Sequence, residues 1–182
     1  RTGNFWAVSA GTDLDKILDL SSFDQLKFRL GYGITGNEPT QRYAYIEKLG
    51  AESSLAFING EFRTGIGPQS NPNPNLKWEE KAELNVGIDF IALDSKLSGS
   101  LDYFNRTTTD LLRDTPVASP PNIFGSTLLN LGELETNGFE IALNYSAIST
   151  EDLSWDVGFN LSNFKVKLVN ISDLDEFVTY SG

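Results

Sequence analysis

Carboxylates are the most numerous side chains in this sequence that could carry acid–base chemistry, with 25 Asp and Glu residues and no His or Cys. A carboxylate-based hydrolase needs two carboxyl groups that face each other across a bond, one of them with a raised pKa. Glu79 and Glu80 are adjacent, so their side chains point to opposite faces of a strand and cannot form that pair. Without His, no Ser-His or Cys-His nucleophile is possible. The sequence therefore predicts no catalytic residue, and we expect no enzyme activity.

Metal, cofactor and nucleic-acid sites are equally unsupported. The segment DLDEF at Asp173–Phe177 offers oxygen ligands for a hard cation, but it lacks the spacing and the glycine of an EF-hand loop. The glycine-rich pieces GYG (Gly31–Gly33) and GIG (Gly65–Gly67) do not open a helix, and no GxxxxGK motif is present. A formal net charge of −11 has the wrong sign for attracting nucleic acid. We therefore assign no metal site and no cofactor, and we expect no nucleic-acid partner.

The elements that would position functional side chains are β-strands, because apolar and polar residues alternate with a period of two. In Leu26–Thr35 the apolar residues fall on one face, while Lys27, Arg29 and two glycines fall on the other. No helical stripe fits this order. The same alternation is found in Lys81–Phe90, Lys96–Asn105, Gly138–Tyr145 and Leu153–Ser162, with a break at Phe104 and a weaker strand in Asn4–Gly11. The pattern predicts six strands of about 9–11 residues, the length of a spanning barrel strand.

The connections between these strands alternate in length. Short turns are predicted near residues 12–25, 91–95 and 146–152, the first with a helical turn in DLDKILDL. Long loops are predicted near residues 36–80 and 106–137. The first long loop contains the run NPNPN (Asn71–Asn75), which cannot donate a regular ladder and is expected to stay out of sheet pairing. Short turns at one end and long loops at the other are typical of outer-membrane barrels, whose turns are periplasmic and whose loops are extracellular.

Aromatic residues near the strand ends also favour a barrel in a membrane, because such barrels carry an aromatic girdle at each interface. The predicted interface aromatics are Tyr32, Trp78, Tyr103 and Phe139 toward the loops, and Phe90, Tyr145 and Trp155 toward the turns. No apolar run approaches the ~20 residues of a spanning helix, but alternating barrel strands do not produce such runs. The predicted fold is therefore an all-β, antiparallel transmembrane barrel. A soluble β-sandwich that binds carbohydrate remains the alternative.

Six strands are too few to close a membrane barrel, since about eight are the practical minimum. An open sheet edge inside hydrocarbon would leave backbone amides and carbonyls without hydrogen-bond partners, at a cost of several kcal/mol each. The 182 residues also contain no Met. We therefore expect the chain to be a part of a larger barrel.

Polar strand residues and loop aromatics are the candidate ligand contacts. The side chains expected to face the lumen are Lys27, Arg29, Glu83, Asn85, Asp89, Asp102, Glu140, Asn144, Asp156 and Asn160. They mix both signs of charge with amides, which suits a hydrated channel that hydrogen-bonds sugars or peptides. The loop aromatics Tyr43, Tyr45, Phe57, Phe62 and Phe124 are expected either to stack on a ligand or to pack against a partner protein.

Four segments in a fixed order carry a family resemblance. They are LKFRLGYGITGN (Leu26–Asn37), NPNLKWEEKAELNVGIDF (Asn73–Phe90), LSGSLDYFNRTTTDLL (Leu97–Leu112) and LGELETNGFEIALNY (Leu131–Tyr145). Together they resemble the C-terminal part of the barrel of the SusC/RagA family, which are TonB-dependent outer-membrane transporters typical of Bacteroidetes. The similarity extends from about Phe23 to Leu168.

The resemblance implies a barrel of about 22 strands with a plugged lumen. It implies a SusD-like surface lipoprotein that caps the barrel, and a TonB complex that acts through an N-terminal segment outside this chain. The surroundings would be the lipid and lipopolysaccharide of the bacterial outer membrane, and the cargo a glycan or an oligopeptide. This chain would then supply wall and extracellular loops, with its lumen residues contacting either cargo or plug.

Overall fold

Residues 3–39 and 43–170 are described by a computed structural model of the chain. They form two compact units. Of the described residues, the sheet unit comprises 3–35, 81–108 and 133–170, and the hairpin unit comprises 36–39, 43–80 and 109–132. The elements are β1 (Ala7–Asp13), α1 (Leu14–Leu18), β2 (Phe23–Asn37), β3 (Leu49–Ile58), β4 (Glu61–Pro68), β5 (Glu79–Ala92), β6 (Leu97–Thr109), β7 (Leu112–Pro116), β8 (Ser126–Asn130), β9 (Glu133–Ser149) and β10 (Ser154–Asn170).

The sheet unit is built on a six-stranded antiparallel sheet in the order β1-β2-β5-β6-β9-β10. Each of the six predicted strands is present. The prediction succeeded because a strand whose two faces have different surroundings shows alternating polar and apolar side chains. The predicted uniform length was wrong. β1 has 7 residues, whereas β9 and β10 have 17 each.

The cross-strand register gives the sheet one polar and one apolar face, because residues directly opposite each other point to the same side. On the polar face Asp102 lies opposite Glu140, and Glu140 lies opposite Ser162. On the apolar face Leu101 lies opposite Ile141, which lies opposite Leu161. The alternation predicted for each strand is therefore in phase across the neighbouring strands.

The two faces exchange character near the ends of β9 and β10, which explains the error in strand length. Beyond Ser162, Lys165 and Lys167 continue the apolar face, while the polar face carries Phe164, Val166 and Leu168. The predicted strand Leu153–Ser162 ended where apolar residues move from one face of β10 to the other. The backbone ladder does not depend on side-chain polarity, so it continues to Asn170.

The apolar face is open. Trp155 is 58% exposed and Phe159 is 52% exposed, and the buried hydrophobic residues in the described ranges are Leu76 and Ala92. A soluble sandwich would cover this face with a second sheet about 10 Å away. An uncovered apolar face on a sheet of this size is what a barrel presents to lipid.

The connection between β1 and β2 contains α1, as the sequence predicted. Asp15 Oδ1 accepts a hydrogen bond of 3.0 Å from the backbone N–H of Leu26, which ties the helix to β2. Lys16 donates to Asp13 at 2.7 Å, and this bond raises the pKa of Lys16 above its ordinary value. α1 has 5 residues, and no helix in the described ranges is long and apolar enough to cross a membrane.

The stretches 36–80 and 106–137, predicted as long loops, each contain a two-stranded hairpin outside the six-stranded sheet. β3 pairs with β4, and β7 pairs with β8. The β3–β4 turn is Asn59-Gly60, with φ of 53° and 83°. Positive φ at both central residues is characteristic of a type I′ turn, for which Asn-Gly is the preferred sequence. This dipeptide between two β-rich runs was the signal that could have located the hairpin.

Candidate functional site

An ion cluster on the polar face joins three strands of the sheet. Arg29 on β2 donates from Nε and Nη2 to the two carboxylate oxygens of Asp89 on β5, at 2.7 and 2.9 Å. Its Nη2 also donates to Asp102 on β6 at 2.9 Å. Bidentate bonds between guanidinium and carboxylate are among the strong hydrogen bonds of proteins and fix geometry as well as charge. Three of the predicted lumen residues therefore meet in one cluster.

Gly87 on β5 makes this cluster possible. A Cβ atom built there would lie 2.5 Å from Asp102 Oδ1 and 2.7 Å from Arg29 Nη2. Real Cβ atoms do not approach other atoms so closely, so any side chain at this position would displace the bridge. The alternation along β5 did not reveal this role of Gly87, since the approach of Arg29 over β5 depends on strand neighbours far apart in sequence.

A second group of charges lies farther along the same face. Arg106 Nε donates to Glu83 Oε2 at 2.7 Å, and Lys81 Nζ lies 3.9 Å from the same oxygen. The guanidinium carbon of Arg106 is 5.6 Å from the ring centroid of Phe104. Phe104, which breaks the sequence alternation, lies opposite Gly138, and a Cβ there would be 2.8 Å from Phe104 Cζ. The aromatic ring thus occupies space that a larger residue on β9 would fill.

The remaining lumen candidates line open parts of the polar face. A groove of 410 Å³ is bordered by Lys27, Asp89 and Asn144 together with Ser98 and Ser100. A second groove of 280 Å³ includes Lys81, Glu83 and Asn85. Glu140 accepts a bond of 3.3 Å from Ser162, and Asp156 accepts one of 2.6 Å from Ser146. Asn160 lies opposite Ala142. The face offers donors, acceptors and both signs of charge to water or a ligand.

Most of the predicted interface aromatics lie beside other aromatic or apolar residues. Tyr103 lies directly opposite Phe139, although both are near the middle of their strands because β6 and β9 are longer than predicted. Tyr32 is 5.4 Å from Trp6 between ring centroids, and Phe90 is 6.4 Å from Phe23. Tyr145 lies opposite both Leu97 and Val157, and Trp155 lies opposite Ile148. Trp6 and Phe23 were missed, although both sit next to strand ends. Trp78 directly precedes β5 and belongs to the hairpin unit.

The loop aromatics belong to the hairpin unit. Phe57 on β3 lies opposite Phe62 on β4, with ring centroids 4.9 Å apart. The two side chains are 65% and 74% exposed, so one face of this hairpin is apolar and open to solvent. Tyr43 and Tyr45 precede β3 and are exposed, whereas Phe124 precedes β8 and is half-buried. Phe57 and Phe62 are thus the two predicted loop aromatics that contact each other.

The Asn-Pro run pairs with the β7–β8 hairpin through side chains instead of backbone. Asn71 Nδ2 donates to the carbonyls of Phe124 and Ser126 at 2.6 and 2.9 Å, and its Oδ1 accepts from the Phe124 N–H at 3.0 Å. Asn73 Nδ2 donates to the carbonyl of Leu128 at 2.8 Å. Proline has no N–H, and the asparagine amides supply the missing donors. The run avoids a regular ladder, as predicted, yet it is firmly held to β8.

Comparison with known proteins agrees with this geometry. Residues 2–179 match the family described as TonB dependent receptor-like, beta-barrel. The chain belongs to this family of TonB-dependent receptor barrels. TonB-dependent receptor P3 of Formosa agariphila is 33% identical over 158 residues, covering 87% of this chain and 16% of the relative. TonB-dependent receptor SusC of Bacteroides thetaiotaomicron is 30% identical over 186 residues, covering 98% of this chain and 18% of SusC.

The fold of this TonB-dependent receptor barrel segment also matches solved structures. The RagAB peptide transporter superposes with a TM-score of 0.78 at 24% identity, over 92% of this chain and 18% of the solved chain. Its open-open state gives a TM-score of 0.79. The resemblance to the SusC/RagA family is confirmed, and the barrel is confirmed over the sandwich. The chain spans 16% and 18% of the length of the two curated relatives.

Metal ligation has no candidate in the described ranges, where no cluster of three acidic residues has a suitable arrangement. The segment Asp173–Phe177, which the sequence analysis considered for a hard cation, lies outside the described residues. On the polar face, Asp102 is bonded to Arg29, Glu83 to Arg106 and Glu140 to Ser162.

Proposed function

We propose that this chain forms wall and extracellular loops of an outer-membrane TonB-dependent importer of glycans or oligopeptides. The observation that carries the proposal is the two-faced sheet, with a bonded ion cluster on one face and an uncovered apolar surface on the other. A membrane barrel requires this division, because its outside contacts lipid and its inside contacts water. The match of the chain to the receptor barrel family supports the same arrangement.

The apolar face is suited to the hydrocarbon layer. On β5 the apolar positions run from Ala82 to Phe90, which is about 27 Å along a strand at ~3.4 Å per residue. With a strand tilt of about 40°, the height of this band is about 21 Å, close to the ~25 Å expected for outer-membrane barrels. The aromatic residues at the two ends of this apolar band would then lie at the two membrane surfaces, where amphipathic rings are favoured.

The polar face would line the lumen. Arg29 is paired with both Asp89 and Asp102, so its positive charge offsets one of the two carboxylates and the cluster keeps a net negative charge on the wall. The grooves beside them present Lys27, Asn85 and Asn144 to water and cargo. These side chains include hydrogen-bond donors and acceptors, which suit the hydroxyls of a glycan and the amides of a peptide. Some of these side chains would instead rest against the plug of the whole transporter.

The hairpin unit would lie outside the cell. The connections within 12–25, 91–95 and 146–152 would be periplasmic, and those within 36–80 and 106–137 extracellular. A SusD-like lipoprotein is the proposed partner for the exposed face of Phe57 and Phe62, because apolar patches of this kind mark protein contacts. The TonB complex would act through the N-terminal part of the transporter, outside this chain.

A pair of adjacent substitutions tests the placement of the wall. Asn85→Cys and Val86→Cys point to opposite faces of β5, and the chain has no native Cys. In a cysteine-free version of the full-length transporter in intact outer membranes, a water-soluble maleimide should label Asn85→Cys at least tenfold faster than Val86→Cys. Equal labelling, or faster labelling at residue 86, would reject the proposed orientation.

A transport measurement tests the cargo class. Cells that express the full-length transporter receive a mixture of oligosaccharides and oligopeptides, and the medium is analysed by mass spectrometry. The proposal expects depletion of one class that stops when the gene is deleted. If deletion changes the uptake of neither class, the proposed cargo is wrong.

A further inference from the structure

The hairpin unit contains a polar cleft. Its volume is 250 Å³, and a water molecule occupies about 30 Å³ of liquid, so the cleft has room for a short ligand segment. One wall comes from the chain around Lys48 and Gln69–Asn71. The other wall comes from Asp114 on β7 and from Phe124–Leu128 around β8.

Hydrogen bonds hold the two walls in a fixed relation. Asn71 is only 7% exposed, and its amide makes three hydrogen bonds to the backbone of Phe124 and Ser126. On the first wall, the backbone N–H of Lys48 donates to Ser70 Oγ at 3.2 Å. The cleft therefore exists before any ligand arrives, and a ligand would not have to order it. Preorganisation of this kind lowers the entropic cost of binding.

The cleft is lined by one cation and one anion. Lys48 and Asp114 both line it, and within the described ranges neither forms an ion pair. The cleft thus offers one available cation and one available anion, beside the aromatic ring of Phe124 and the side chain of Leu128.

Lys48 is half-buried and Asp114 is exposed, so a ligand in this cleft removes part of the water around Lys48 and can pair with both charges. A neutral oligosaccharide brings no formal charge to either group. A short peptide with free ends brings an ammonium and a carboxylate, together with amides that can bond to Gln69, Ser70 and Thr127. Its apolar side chains can contact Phe124 and Leu128.

We propose that this cleft binds short peptides by their free ends, with Lys48 bonded to the terminal carboxylate and Asp114 bonded to the terminal ammonium. The inference rests on the proposed import function and deepens it, because it selects oligopeptide as the ligand class at this site. Recognition of both ends restricts the ligand to peptides whose two termini reach the two side chains together.

Calorimetry on the full-length transporter in detergent tests the proposal with matched probes. The probes are tetraalanine, its N-acetyl form, its C-terminal amide, and neutral maltotetraose. Tetraalanine should bind at least tenfold more tightly than either capped form, because each cap removes one charge-assisted bond. Maltotetraose should not compete with tetraalanine for the cleft.

Two variants assign the ends. Lys48→Ala should remove the preference for the free carboxylate and keep the preference for the free amine. Asp114→Ala should do the reverse. Arg63→Ala and Glu61→Ala are the controls, since these exposed hairpin charges do not line the cleft and should leave both preferences intact.

The inference is overturned if free tetraalanine does not bind, if capping leaves its affinity unchanged, or if either variant keeps both preferences. These results can be told apart from failure of the proposed function. Uptake of oligopeptides that persists in cells while the cleft shows no end preference would reject the inference and leave the importer proposal standing. Loss of end preference in both control variants would indicate a structural effect of the hairpin and would also count against the assignment.

Discussion

The guanidinium of Arg29 lies over Gly87, with Nη2 only 2.7 Å from the point where a Cβ atom of residue 87 would be. The side chain crosses β5 at this point and reaches Asp102 on β6. One missing methyl group on the middle strand thus allows a charge on β2 to bond to a charge two strands away. The ion cluster is specified jointly by a charged residue and by the absence of a side chain beneath it.

Gly87→Ala should therefore separate Arg29 from Asp102. We expect the full-length transporter to be up to about 1 kcal/mol less stable than the Gly31→Ala variant, because Arg29 and Asp89 are each about a third or more exposed and exposed ion pairs contribute about 0–1 kcal/mol. The measurement is thermal unfolding in detergent, and the readout is the change in gel mobility when the barrel unfolds. Gly31→Ala is the matched control, since it lies on the polar face of β2 with no atom within 4 Å of its Cβ position. Equal effects of the two substitutions would contradict the account.

Asn71→Ala should loosen the contact between the Asn-Pro run and β8. The substitution leaves the carbonyls of Phe124 and Ser126 and the N–H of Phe124 without their partner in a buried place. We expect a local cost of about 2–3 kcal/mol, because unsatisfied buried polar groups cost about 1–3 kcal/mol each and water will reach some of them. Limited proteolysis of the full-length transporter should then cut within residues 109–132 at least tenfold faster.

The control for that experiment is Asn75→Ala, which changes an exposed asparagine of the same run. Its side chain takes no part in the bonds to β8, so cleavage should stay at the wild-type rate. Protection of residues 109–132 that survives Asn71→Ala would show that the hairpin is held by other contacts.

The sequence was sufficient for the six-stranded sheet because the side chains on its two faces differ in polarity, as they do in barrel strands between lipid and water. Leu101 and Asp102 show this difference, and the period of two follows from it. The hairpin of β3 and β4 has no such division, since Leu55 and Phe57 on one side and Ile58 on the other are all exposed. Its one local signal was Asn59-Gly60. Alternating polarity in a sequence shows that the two faces of a strand have different surroundings. It does not directly show that the backbone is extended, so a strand without this contrast is missed.

The contacts between residues far apart in the sequence could not be predicted, for a different reason. The bonds from Arg29 to Asp89 and Asp102 join residues 60 and 73 positions apart. Which of the many charges on one face will meet depends on strand register, and a single sequence does not state the register of strands joined by long connections. The Asn71 bonds to the second hairpin depend in the same way on the fold of two separate segments.

Phe62→Ala should weaken the proposed contact with the SusD-like lipoprotein. The ring is 74% exposed and stands beside Phe57, so the pair forms an apolar anchor on the hairpin surface. Loss of an aromatic anchor at a protein interface costs about 2 kcal/mol, which corresponds to roughly a 30-fold higher Kd. Co-purification and biolayer interferometry with the partner lipoprotein provide the measurement. Arg63→Ala on the adjacent position is the control, and a change as large as that of Phe62→Ala would point to a general effect on the hairpin.

The exchange of polarity between the two faces makes a prediction about membrane depth. Leu101 and Asn105 lie on the same face of β6, opposite Ile141 and Asn137. Leu101→Lys would place a charge within the apolar band, where a lysine facing lipid costs about 2–4 kcal/mol near the midplane. Asn105→Lys would place it beyond the band, on the same side as Lys165, which lies opposite Asn137 on the neighbouring pair of strands.

We therefore expect Leu101→Lys to lower the amount of folded full-length transporter in the outer membrane severalfold and to reduce its unfolding temperature in detergent. Asn105→Lys should change neither quantity, because a cation at that height remains in water or among lipid head groups. Quantitative blotting of outer-membrane fractions and heat-modified gel mobility measure both effects. Comparable losses for the two lysines would mean that the hydrocarbon layer extends over the end of β6, and that the reversal of polarity does not mark the membrane boundary.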